Sequence, residues 1–90
     1  MYQITCKRWF QKSYGNTYHS VEIRVKKDKN LIARNDFTYG YGEQCLQTGL
    51  EMLVRSNLID KKFLKMPTWK AFEELGIEYS IEDVNRKKDL

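Results

Sequence analysis

One histidine, two glycine–tyrosine pairs, and a cluster of rings and bases are the residues here that could do chemistry. His19 is the single imidazole of the chain. It is the side chain whose ordinary pKa lies near neutrality, so it is the first candidate for general acid–base work. That work needs an orienting partner and a nucleophile. No Ser-His-Asp or Cys-His signature surrounds His19, which falls on the apolar face of a strand-like run. A hydrogen-bonded core or edge histidine is the plainer reading, and no catalytic residue is assigned.

Tyr39-Gly40-Tyr41-Gly42 stands between a strand-like run and an amphipathic run. Glycines before a helix can let backbone N–H groups cradle an anion. Here Glu43 follows instead of Lys-Ser/Thr, so this is not a phosphate-binding P-loop. The glycines then serve a sharp strand-to-helix turn, and the tyrosines are free to make contacts.

Lys7, Arg8, Trp9, Lys12, Tyr14 and Tyr18 crowd the first predicted hairpin. Rings interleaved with bases suit single-stranded nucleic acid, where bases stack and phosphates meet lysines. The same residue types are favoured hot spots of protein interfaces. The carboxylates Glu73-Glu74, Glu78 and Glu82-Asp83 alternate with apolar residues and read as a solvated face. No metal site or cofactor follows from them.

These residues must be held by a small fold. Ninety residues make one domain, 1–90, with 41% hydrophobic and 13% aromatic residues. The net charge of +4 is spread, +3 over residues 1–60 and +1 over 61–90. Such a balance permits an acidic or nucleic-acid partner without requiring one. Cys6 and Cys45 belong to no Cys-x-x-Cys pair and read as small core hydrophobes. No run is long enough to span a membrane, and the first residues do not resemble a signal peptide, so a cytosolic protein is expected.

Three runs alternate with a period of two. Residues 2–10 place Tyr2, Ile4, Cys6 and Phe10 on one face, with Arg8 interrupting. Residues 18–26 place His19, Val21, Ile23 and Val25 on one face. Residues 31–39 place Leu31, Ala33, Phe37 and Tyr39 together. The turn Lys27-Asp28-Lys29-Asn30 lets Asn30 take a left-handed conformation. A helix is predicted over Glu43–Ser56, with Leu46, Leu50, Leu53 and Val54 as its stripe. Gly49 would let it lie close on the sheet. Asn57 is its expected stop.

Pro67 opens a second helix with Trp69, Phe72 and Leu75 buried, ended by Gly76. Residues 77–84 form a possible fourth strand. The expected fold is α+β: an antiparallel three- to four-stranded sheet with two helices on one face, in the order β-β-β-α-α-β.

Gly15-Asn16-Thr17-Tyr18-His19-Ser20-Val21, Tyr39-Gly40-Tyr41-Gly42, Leu75-Gly76-Ile77 and Arg86-Lys87-Lys88-Asp89-Leu90 together resemble a family of small bacteriophage- and prophage-encoded proteins of unassigned activity. The resemblance spans most of the chain. It implies a bacterial host cytoplasm and, by context, action through binding, as in anti-CRISPR and other anti-defence proteins. The leading expectation is a non-enzymatic protein that docks on a host protein or ribonucleoprotein complex and inhibits or modulates it. Its surface would hold Lys12, Tyr14, Asn16, Tyr18, Tyr39 and Tyr41. The alternative is direct DNA or RNA binding through Lys7, Arg8, Lys12, Arg24, Arg34, Arg86, Lys87 and Lys88.

Overall fold

The computed structural model describes residues 2–90. The strands are β1 (Tyr2–Gln11), β2 (Asn16–Val25), β3 (Leu31–Tyr39) and β4 (Glu78–Val84). The helices are α1 (Gln44–Arg55) and α2 (Thr68–Leu75), with short 3-10 turns at Lys61–Lys65 and Lys87–Asp89. The architecture is α+β, in the expected element order. No helix is long and apolar enough to cross a membrane among the described residues.

The sheet order is β3-β2-β1-β4. β1, β2 and β3 form the expected antiparallel meander, with Cys6 opposite Val21 and Trp9 opposite Tyr18. β4 completes the sheet but runs parallel to β1, so the sheet is mixed rather than antiparallel. Connectivity is the reason. α1 carries the chain from the Tyr39 end of the sheet back toward the end where β1 begins. β4 therefore starts beside Gln3 and must run with β1, the usual outcome of a helical crossover.

One face is covered. Ile4, Cys6, Val21 and Ile23 meet Cys45, Leu46, Leu50 and Leu53 of α1, and Ala71, Phe72 and Ile77 close the end of this core. Gly49 is the point of closest approach: a Cβ there would lie 3.0 Å from Ile4 Cδ1. The cysteines are both fully buried and free. A hydrogen bond with Cys45, together with burial, pushes the Cys6 thiol well up. Trp69 is 62% exposed and is not part of the α2 stripe, which consists of Ala71 and Phe72 with Leu75 at its margin. An eight-residue helix at the periphery has room to bury little more than one flank.

Two corrections concern β3. The left-handed residue of its hairpin is Lys29, φ 63°, not Asn30, whose backbone N–H instead donates to Asp28. Register shifts fall between His19 and Val21 and between Ile23 and Arg24, each leaving one extra residue on β3. A one-residue shift flips the faces. Ala33 thus stays opposite Ile23, over the core, while Leu31, Phe37 and Tyr39 turn to the uncovered side.

Candidate docking surface

The functional candidates converge at the end of the sheet where the β1–β2 turn meets the β3–α1 junction. The turn is closed by the Gly15 N–H donating to the Gln11 carbonyl at 2.8 Å. The Gly40 N–H donates to Thr17 at 3.0 Å and extends the β2–β3 ladder to the junction. Gly42 has φ 58°, which a side chain resists, and its open surroundings leave backbone conformation as the reason for glycine. Gly40 answers a different need. A Cβ there would lie 2.6 Å from Gln44 Cγ and 3.1 Å from His19 Cε1.

The two loops are joined by phenols. Tyr39 OH donates to Tyr41 OH at 2.8 Å, and Tyr41 OH donates to the Gly15 carbonyl at 3.3 Å. The hydrogen bond to Tyr41 raises the Tyr39 pKa, because ionising Tyr39 removes the donated proton. Asn16 Nδ2 reaches Tyr18 OH at 3.4 Å, with Asn16 Oδ1 as far from Tyr41 OH. Asn16, Tyr18, Tyr39 and Tyr41 thus form one cluster. Tyr39 and Tyr41 are each 53% exposed. Tyr14, at 75%, stands at the turn tip with Lys12 beside it in solvent. Of the six residues expected at a partner surface, four touch and two flank them.

The cluster continues as a row of rings across the uncovered face. Trp9 of β1 stacks on Tyr18 of β2 at 5.9 Å, and Tyr18 stacks on Phe37 of β3 at 4.5 Å, with interplanar angles of 24° and 19°. Tyr39 meets Tyr18 edge-on at 5.7 Å. Tyr18 is therefore sandwiched, with both ring faces occupied. Phe37 belongs to this surface and escaped sequence reading, which grouped it with Ala33 on one face of β3. The shifts in β3 that move it have no local glycine or proline signal.

The eight basic residues of the nucleic-acid alternative do not gather. Arg8 lies on the helix-covered side, where its Nε and Nη2 donate to the Asp83 carboxylate at 2.7 and 3.1 Å and its Nη1 donates to the Gly42 carbonyl at 2.8 Å. The hydrogen bond to Asp83 raises its pKa further. Arg24 pairs with Glu22, Arg34 with Glu22 and Asp36, and Arg86 with Asp89. Lys87 lies over the Phe37 ring, 4.9 Å from its centroid. Lys7 faces the uncovered side on β1; Lys12 and Lys88 are exposed, at the first turn and in the C-terminal segment.

His19 is fully buried, its Nε2 at 2.9 Å from Thr48 Oγ1. The Thr48 hydroxyl also lies 3.3 Å from the Gln44 carbonyl, and the ring tautomer sets whether it donates there or to Nε2. Nδ1 lies toward the Gly40 backbone and makes no hydrogen bond of good geometry among the described residues. Burial lowers the His19 pKa, opposed in part by the Gly40 backbone. The one hydroxyl at the ring, that of Thr48, is itself buried. His19 is a packing residue that locks α1 to β2 beneath the tyrosine cluster.

No protein family, curated protein or solved structure matches this chain.

Proposed function

We propose that this chain is a small non-enzymatic binding protein that docks through the tyrosine cluster at the β1–β2 turn and the β3–α1 junction. The surface is Tyr14, Asn16, Tyr18, Tyr39 and Tyr41, flanked by Lys12. The observation that carries the reading is the Tyr39–Tyr41–Gly15 hydrogen-bond relay. It holds two half-exposed tyrosines in fixed positions before any partner arrives. Pre-ordering lowers the entropy lost on binding, and tyrosine gives large contact area with few rotamers.

The favoured partner is a host protein or ribonucleoprotein complex of a bacterial cytoplasm, of the defence or nucleic-acid-processing kind, as the resemblance to phage-encoded proteins implies. Two features favour protein over bare nucleic acid. All four arginines of the basic set are paired with carboxylates. The central ring of the stack has no free face to receive a base.

The test is affinity capture from bacterial host lysate with the wild type and with Tyr39→Ala/Tyr41→Ala. A complex retained by the wild type and lost by the variant supports the reading. Identical capture by both, or none by either, sinks it. A mobility shift of single-stranded DNA that weakens steeply with salt would put direct nucleic-acid binding first.

A further inference from the structure

The C-terminal segment does not hang free from β4. After Val84 it turns across the uncovered face of the sheet. Lys88, Asp89 and Leu90 line a cleft of about 530 Å³ with Lys7 and Glu82. Farther across, the Leu90 carbonyl accepts from Arg34 Nη2 of β3 at 3.2 Å, and the Lys87 ammonium sits on the Phe37 ring. Ser20 of β2 points to this same face, opposite Lys7, yet is only 2% exposed. A short, otherwise polar segment thus crosses the sheet from β4 to β3 and seats a cation at the end of the ring stack.

We infer that the uncovered sheet face receives a short basic segment of a partner protein, and that residues 85–90, with their 3-10 turn at Lys87–Asp89, are its resident, displaceable occupant. The inference deepens the docking reading, since Phe37 continues the same row of rings as Tyr18 and Tyr39. The chain's own tail displays the chemistry the seat selects. It takes a lysine ammonium on an aromatic face and a backbone carbonyl on a guanidinium. A partner segment carrying Lys or Arg satisfies the same two contacts. It must compete with a tail whose tether gives it a high local concentration. The Arg86–Asp89 pair, at 3.4 Å and three residues apart, shapes the tail locally and does not bind it to the sheet.

The probe is an acetylated hexapeptide with the sequence of residues 85–90, titrated into the full-length protein and followed by NMR shifts of Trp9, Arg34 and Phe37. Wild type is compared with Lys87→Ala, whose exposed position leaves the fold intact by circular dichroism. The expected result is shifts at all three residues, reached at roughly two- to fivefold lower peptide concentration in Lys87→Ala, the range of an exposed cation–π contact. A peptide with both lysines replaced by alanine should bind several-fold more weakly.

No shift at Phe37 in either protein, equal affinity in both, or equal binding of the alanine peptide would overturn the inference. So would a wild-type dimer in sedimentation that dissociates on Lys87→Ala, which would assign the seat to a second copy's tail. The titration needs no host complex, so its failure and a failed lysate capture are separate results.

Discussion

Arg8 of β1 and Asp83 of β4 hold each other through two hydrogen bonds, and the third arm of Arg8 grips the Gly42 carbonyl. One guanidinium thereby ties the parallel edge strand to the strand-to-helix junction. The rigid fork of arginine suits this three-way contact, and a lysine ammonium cannot span it. Arg8→Ala should cost about 1–3 kcal/mol, read as a lower urea midpoint at an unchanged slope. Arg8→Lys should recover less than half of that loss.

The two junction glycines should fail in different ways. Gly42→Ala meets open space and only backbone strain, about 1–2 kcal/mol. Gly40→Ala forces Gln44 and His19 aside. It should therefore cost about 1–3 kcal/mol as overpacking and also shift the His19 ring resonances, which Gly42→Ala leaves in place. Thermal melts with NMR of the imidazole check both.

Acid should begin to weaken the fold as the pH falls below about 6.5. The native His19 pKa lies below its unfolded value of about 6.5. As pH falls through that value, the unfolded chain takes up a proton that the native ring refuses. Stability is thus full above the unfolded pKa and declines below it. The expected loss at pH 5.5 is up to about 1.4 kcal/mol relative to pH 7.5. His19→Phe should flatten urea stability across that window; a slope that persists in the variant would place its origin elsewhere.

Tyr39 should ionise later than an ordinary phenol in alkaline ultraviolet titration, because its proton is donated to Tyr41. Tyr41→Phe removes the acceptor and should return one phenol to the ordinary range near 10. Stability should change by about 0.5 kcal/mol or less, since both rings are half in solvent.

Cys6 and Cys45 should resist iodoacetamide in the native protein, with modification slowed about a thousandfold or more and keeping pace with global opening. A disulfide should be absent from freshly purified protein under reducing conditions.

Most of the frame was legible in the residues. Period-two runs gave β1 and β2 with their inward faces, and the leucine spacing gave α1 against them. Gly76 marked the end of α2, with φ 65°. Two things were not legible. The direction of β4 depends on where α1 delivers the chain, a property of the whole path rather than of residues 77–84. The facing of Phe37 depends on register shifts that local composition does not announce.

The candidate surface was half legible. Tyr39, Tyr41, Asn16 and Tyr18 stood out by type, but their meeting depends on β2 and β3 pairing in the observed register. Arg8 shows the opposite case. Its position in a basic-aromatic stretch suggested a phosphate contact, while its alternation with Cys6 and Phe10 already put it on the helix side.

The shifted strand β3 also bears on solubility. It is an edge of the sheet and carries Leu31, Ile32, Phe37 and Tyr39 in contact with water. A straight strand of that composition is a template on which other chains can pair and aggregate. Two irregularities within nine residues break the even ladder of N–H and C=O groups such pairing needs. The distortion that turns Phe37 and Tyr39 outward thus also disfavours pairing of this edge with copies of itself.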